Sequence, residues 1–226
     1  MLSIMTEQLE PSTQKFLIVD DHEAILEGTI PALRTKYPLI EILTAKDSQT
    51  AQQLVQEFHP NLVVVDLSLP RTLGDSAKVE VGMQLLGNLM QSNNPPNIVV
   101  LSTNVKPLVR IKCIVNTYEG GFAAMDKSVP LKEMLTLVDI AQRGSIYLPK
   151  EVRSRPEFDR KWLEVLTLKY EEGLSDKAIA KQMSITDRTV RNYWIRIQDA
   201  LGVFDNPDKD LRVQIEIAAR KAGLIN

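Results

Sequence analysis

Five polar residues stand where short apolar runs stop. FLIV (16–19) runs into Asp20 and Asp21, LVVV (62–65) into Asp66, and IVVL (98–101) into Ser102, while Lys127 follows FAAM (122–125) after one further aspartate. If these runs are neighbouring strands, three carboxylates, a hydroxyl and an ammonium share one rim. Like charges that close raise one another's pKa unless a cation joins them. Hard oxygens without a His or Cys cluster point to Mg²⁺, which takes few protein ligands and favours phosphate. Such a set supports one kind of chemistry. A carboxylate attacks phosphorus, Mg²⁺ and Lys127 neutralise the phosphoryl oxygens, and Ser102 donates a hydrogen bond to one of them. His22, next to the acidic pair, reads as a helix-start residue.

The elements that would carry these residues alternate. A further strand is expected at 40–44 (IEILT), and segments with apolar residues at i, i+3, i+4, i+7 lie between the runs: Ala51, Leu54, Val55, Phe58; Gly82, Leu85, Leu86, Leu89; Ile111, Ile114, Val115, Tyr118; Leu131, Met134, Leu135, Val138. A helix over 23–37 should be kinked or interrupted at Pro31. Five βα units predict an α/β domain, a parallel sheet covered on both faces with ligands beyond the carboxyl ends of its strands.

With 44% hydrophobic and 25% charged residues, the composition excludes disordered and collagen-like chains. No apolar run approaches the roughly 18 residues needed to span a bilayer. The expectation is a cytoplasmic protein without a membrane partner, beginning with a loose tail over 1–14. The single cysteine, Cys113, cannot form an internal disulfide, which fits a reducing compartment. Acidic residues outnumber basic ones before residue 150, and the balance reverses after it. SIYLPKEVRSRPE (145–157), with two prolines and no periodicity, reads as a linker, and 158–226 reads as all-α.

In that tail, Gly173 can close one helix, and Ser175 can cap the next with Leu174 and Ile179 as its hydrophobic staple. After a short turn Thr186 can cap a third, so the pair suggests helix-turn-helix. The helix from 187 places Val190, Trp194, Ile197 and Leu201 on one face and Arg188, Arg191, Asn192 and Ile195 on the other, with Arg196 beside them. That second face suits a major groove, where Arg reads guanine, Asn reads adenine and Ile touches a thymine methyl. Thr186 and Thr189 lie at the helix start, where phosphate can be held. Leu211, Ile215 and Ala218 form a stripe on the last helix that is expected to serve dimerisation.

LIVDDH, VVVDLSLP, VVLS and MDKS, in this order, resemble the signature of receiver domains of two-component response regulators over about 15–144. EVL…EEGLSDKAIAKQMSITDRTVRNYW…ALGV is similar to the LuxR-type DNA-binding domain of the NarL/FixJ group over about 158–204. The resemblance implies a flavodoxin-like, five-stranded sheet of order 2-1-3-4-5 followed by an all-α helix-turn-helix domain. It implies Asp66 as phosphoacceptor, with Asp21, Asp66 and the Ser68 carbonyl on Mg²⁺ and Asp20 assisting through water. Ser102 would sense the phosphoryl group and Lys127 would pair with it. The implied partners are a histidine kinase, double-stranded DNA and a second copy of the chain in an active homodimer. The expected role is transcription control rather than enzymatic turnover.

Three departures from the pattern bear on function. Ala124 stands where the family usually carries a switching aromatic, and Phe122 should share its face. Asp126, beside Lys127, either pairs with it or points away. Eleven residues, RTLGDSAKVEV, separate Pro70 from Gly82, an insertion that is either neutral or a lid or partner-selecting element. Two other readings stay open: a phosphorylation-independent regulator, and a Mg²⁺-dependent phosphohydrolase with an aspartyl intermediate. Against the latter, Ser68 occupies the position of the second Asp that such enzymes of the haloacid dehalogenase type use.

Overall fold

The computed structural model describes residues 13–204, 206 and 208–226; the first twelve residues of the tail expected over 1–14 lie outside them. The Gln14 carbonyl, just ahead of the first strand, accepts from the Glu41 amide at 2.9 Å. Strands β1 (Lys15–Val19), β2 (Glu41–Ala45), β3 (Leu62–Val65), β4 (Asn97–Ser102), β5 (Phe122–Asp126) and β6 (Ile146–Tyr147) form one sheet of order β2-β1-β3-β4-β5-β6. All its pairings are parallel. Helices α1 (Glu23–Lys36), α2 (Ser48–Phe58), α3 (Val79–Met90), α4 (Lys112–Val115) and α5 (Leu131–Gln142) connect the strands.

Period-2 alternation decides which helix each strand residue meets. Leu17, Val19, Val63, Val65, Ile98, Val100, Phe122 and Ala124 pack with Ala51 of α2 and Leu85, Leu86 and Leu89 of α3. Their neighbours Phe16, Ile18, Leu62, Val64, Val99, Leu101 and Ala123 pack on the other face with Leu26 and Leu33 of α1 and Met134, Leu137 and Val138 of α5. Phe122 and Ala124 thus share a face, as their spacing requires.

Three expectations are corrected and one is narrowed. Among the described residues the sheet has six strands, not five, because Ile146 and Tyr147 pair with Phe122 and Ala123. The stretch read as a linker therefore carries β6 and a short helix, α6 (Lys150–Arg153), and buries Leu148 and Val152 in the core of the first domain. Of the two outcomes expected at Pro31 the interruption does not occur, since α1 runs through it; its missing amide removes one bond near the middle of a helix whose Leu26 and Leu33 stay buried. The helix expected around 111–118 is instead a 3-10 segment, Lys106–Ile111, leading into the four-residue α4. Apolar residues three apart suit a 3-10 turn as well as an α-helix, so periodicity alone does not separate them.

Beyond α6 lie α7 (Arg160–Tyr170), α8 (Asp176–Gln182), α9 (Asp187–Leu201) and α10 (Leu211–Ala222). They enclose Val165, Leu166, Ile179, Val190, Trp194, Ile197, Ile215 and Ala219 in a separate core. Among the described residues no helix is long and apolar enough to cross a membrane.

Candidate functional site

The polar rim forms where the strand ladder ends. The Asp20 amide donates to the Ala45 carbonyl at 3.0 Å, and the Asp66 amide donates to the Val19 carbonyl at 3.0 Å, so two carboxylates are fixed by backbone pairing across β1, β2 and β3. The Lys127 amide donates to the Ser102 carbonyl at 3.2 Å, which ties the end of β5 to that of β4. Asp20 and Asp66 are each only 3% exposed, and Ser102 1%.

Lys127 brings a positive charge to this rim. Its Nζ lies 2.7 Å from Asp20 Oδ2 and 2.7 Å from Asp66 Oδ2. Burial works against the ammonium, but hydrogen bonds from it to Asp20 and Asp66 and the charges of both outweigh that penalty and hold its pKa above the ordinary value. The other Asp66 oxygen, Oδ1, accepts from the Ser68 amide at 3.1 Å, which orients the carboxylate.

Asp20, Asp21, His22 and Asp66 each present a ligand atom, all within 4.8 Å of one another. Asp21 Oδ1 is buried, with His22 Nδ1 2.8 Å from it. Three carboxylates with oxygens this close together fit a hard divalent cation. Sequence reasoning placed His22 at the helix start, where it is found; its contacts to Asp20 and Asp21 were not legible because they depend on rotamers.

Asp126, left open above, points away from the rim: its Oδ1 accepts from the Ser128 amide at 2.8 Å. That backbone hydrogen bond keeps its carboxyl below the ordinary carboxylate pKa. The insertion after Pro70 is an ordered loop. Leu69 and Lys78 form an antiparallel bridge at its base, and the Thr72 amide and hydroxyl both donate to Asp75 Oδ2, leaving Leu73 72% exposed at the tip. Pro70 and Arg71 lend their carbonyls to the first amides of α2.

In the helical domain, Ser175 caps α8 by accepting from the Ala178 amide at 3.3 Å, and Thr186 caps α9 by accepting from the Thr189 amide at 3.1 Å. Ser184 takes the left-handed conformation in the turn between them, at φ +54°. Val190, Trp194 and Ile197 are buried, whereas Arg188, Arg191, Asn192, Ile195 and Arg196 form an exposed face. The hydroxyls of Thr186 and Thr189 lie 2.9 Å apart and bond to each other.

Burial divides the stripe expected to serve dimerisation. Ile215 is 1% exposed inside its own domain, because α10 packs that side against α7 and α9, and Leu211 and Ala218 are only half-exposed. The outward apolar residues of α10 are Val213 (51%) and Ile217 (50%), which with Phe204, Leu201 and Ala218 line a groove of about 760 Å³.

Residues 16–139 match the family model described as the response regulator receiver domain. The transcriptional regulatory protein YdfI of Bacillus subtilis is 25% identical over 202 residues, covering 83% of this chain and 89% of that protein. LiaR of the same organism is 25% identical over 230 residues, covering 94% and 99%. Among solved structures, RcsB from Salmonella enterica serovar Typhimurium bound to promoter rprA, in the presence of phosphomimetic BeF3−, superposes with a TM-score of 0.56 at 20% identity. It covers 93% of this chain and 98% of that one.

Proposed function

Because this chain belongs to the response regulator receiver family, we propose that it is a DNA-binding regulator that accepts a phosphoryl group on Asp66 from a histidine kinase in the cytoplasm. The observation that carries the reading is the Lys127 ammonium held at 2.7 Å from both Asp20 and Asp66 on a buried rim. One oxygen of Asp66 is oriented by the Ser68 amide, so the carboxylate is held ready for in-line attack on phosphorus. Asp21 and Asp66, with the Ser68 carbonyl and with Asp20 through water, would hold Mg²⁺, which when bound neutralises phosphoryl oxygens. Lys127 then exchanges a carboxylate oxygen for a phosphoryl oxygen, and Ser102 donates its hydroxyl to another.

The output we assign to α9. Arg188, Arg191, Asn192, Ile195 and Arg196 would read base edges in the major groove of double-stranded DNA, with Thr186 and Thr189 near phosphate. Two copies would pair through the exposed side of α10, Val213 and Ile217, rather than through the buried Ile215. The domains proposed are a receiver over 15–144, extended by β6 and α6, and a helix-turn-helix domain over 158–226.

Intact mass after incubation with acetyl phosphate and Mg²⁺ tests the reading: one phosphoryl group is expected on the wild type and none on Asp66→Ala. An unmodified wild type would instead support a phosphorylation-independent regulator, a reading favoured by the small Ala124 in the place of an aromatic switch. Repeated turnover of phosphate esters would support the phosphohydrolase reading, against which Ser68 offers no carboxyl general acid.

A further inference from the structure

We infer that His22 is a ligand for the cation of the acidic rim, and that it turns the site toward nitrogen-accepting ions of the zinc and cobalt class. The inference rests on the cation site proposed above and adds a further ligand and a different metal preference. It is carried by one juxtaposition: His22 Nδ1 stands 2.8 Å from Asp21 Oδ1 and 3.3 Å from Asp20 Oδ1.

His22 holds the N-cap position of α1, where a short polar side chain usually accepts from an amide of the first turn. Asp47, Ser175 and Thr186 do so at the starts of α2, α8 and α9. The His22 side chain makes no such bond. Its backbone amide instead donates to Asp20 Oδ1 at 3.0 Å, which turns the residue back over the acidic pair.

Lys127 and His22 meet different oxygens. The ammonium takes Oδ2 of Asp20 and of Asp66, while the imidazole faces Oδ1 of Asp20 and of Asp21. Four ligands about 2.1 Å from a tetrahedral ion lie about 3.4 Å from one another. The ligand atoms of Asp20, Asp21, His22 and Asp66 all fall within 4.8 Å, so small side-chain rotations close the set. With 64% of the His22 side chain exposed, Nε2 can keep the ring proton against water and leave the Nδ1 lone pair for a metal. The positive pole of α1 opposes a cation here, but it amounts to about half a charge, against three carboxylates.

The consequence is selectivity. Mg²⁺ dehydrates reluctantly and keeps water where an imidazole is offered, whereas Zn²⁺ and Co²⁺ accept imidazole readily. One nitrogen among carboxylates therefore favours the second class of ion without removing any oxygen that the first class uses.

Nitrogen-15 NMR and calorimetric titration of the full, untagged chain test this, with Zn²⁺ and Mg²⁺ as the probes. Zn²⁺ is expected to move the His22 Nδ1 resonance to the position of a metal-bound imidazole nitrogen, and Mg²⁺ is not. His59, the chain's other histidine, sits at the far end of α2 and is the internal reference. His22→Ala is expected to lower the ratio of Zn²⁺ to Mg²⁺ affinity about tenfold or more, since losing even an outer-shell partner costs that much. His22→Ser, which offers the helix start a capping hydroxyl, should lower the ratio in the same way and separates ligation from damage to α1. An Nδ1 that Zn²⁺ leaves unmoved, or a ratio unchanged in both variants, overturns the ligand. Should Mg²⁺ still shift the carboxyl resonances of Asp20, Asp21 and Asp66, the cation site stands and only the part given to His22 falls. If neither ion shifts them, the cation site falls with it.

Discussion

Gly82 and Leu67 meet backbone to backbone: a Cβ on Gly82 would fall 2.1 Å from the Leu67 carbonyl oxygen. Leu67 directly follows Asp66, so α3 is seated on the chain that carries this rim carboxylate. Gly82→Ala must push that chain or α3 away, at a cost of about 1–3 kcal/mol, the range for overpacking. Urea unfolding should show a lower midpoint with unchanged slope, and acetyl phosphate should modify the variant more slowly than the wild type.

Removing the ammonium from the rim leaves two buried carboxylates facing each other. Lys127→Met is expected to destabilise the chain by about 3 kcal/mol at neutral pH in a chelator, the scale for breaking a buried pair. Mg²⁺ should restore much of that in the variant and little in the wild type. Equal Mg²⁺ effects on both melting curves would contradict a cation site among Asp20, Asp21 and Asp66.

Acid should loosen the packing of α1 on α5. Burial raises the Asp139 pKa, but hydrogen bonds from Lys36 and the Tyr37 hydroxyl outweigh it and bring the carboxyl below its ordinary 3.8. A depressed folded-state pKa gives stability that is present above the unfolded value and lost as pH falls through the folded one. The stability advantage of wild type over Asp139→Asn should therefore be full at pH 7 and shrink below about pH 4. A difference that stays constant down to pH 2 would rule this pairing out as its source.

Asp176 joins three helices. Its Oδ1 accepts from Trp194 Nε1 at 3.1 Å, its Oδ2 accepts from Arg212 Nη2 at 3.1 Å, and the Arg212 guanidinium stacks 3.7 Å from the Trp194 ring centroid. Asp176→Ala strands two donors and is expected to cost about 1–3 kcal/mol. The loss should appear in the unfolding of the helical domain, followed by the fluorescence of Trp162 and Trp194, while phosphorylation of Asp66 is unchanged.

The insertion should be dispensable for folding. Its base is closed by Leu69 and Lys78, and its Thr72–Asp75 turn bonds to itself. Replacing 73–76 by two glycines should change stability by less than about 1 kcal/mol, since loop closure depends only weakly on length. A larger loss in a thermal melt would mean that the loop tip supports the α2 start.

The rim was legible in sequence because each of its residues interrupts an apolar run, and strand ends in a parallel sheet converge whatever the loops between them do. The caps Ser175 and Thr186 were legible for a similar reason, since their partners lie three residues away. Long-range choices were not. Leu211, Ile215 and Ala218 mark an apolar stripe, yet spacing does not say whether a stripe meets its own domain or another copy, and α7 and α9 claim Ile215. Arg110 Nε donates to the Gly223 carbonyl across 113 residues, with no local signal joining them. Ile146 and Tyr147 are too few to show alternation, so β6 was hidden in a charged, proline-bearing stretch.

That short sixth strand dictates where the protein can be cut. Ending the chain at 144 would unpair Phe122 and Ala123 on that side of β5 and would strip Leu148 and Val152 from the interior. Ending it after Ser154, beyond α6, keeps both plugs in place. The segment that looks like a tether is the cuff that seals the first domain.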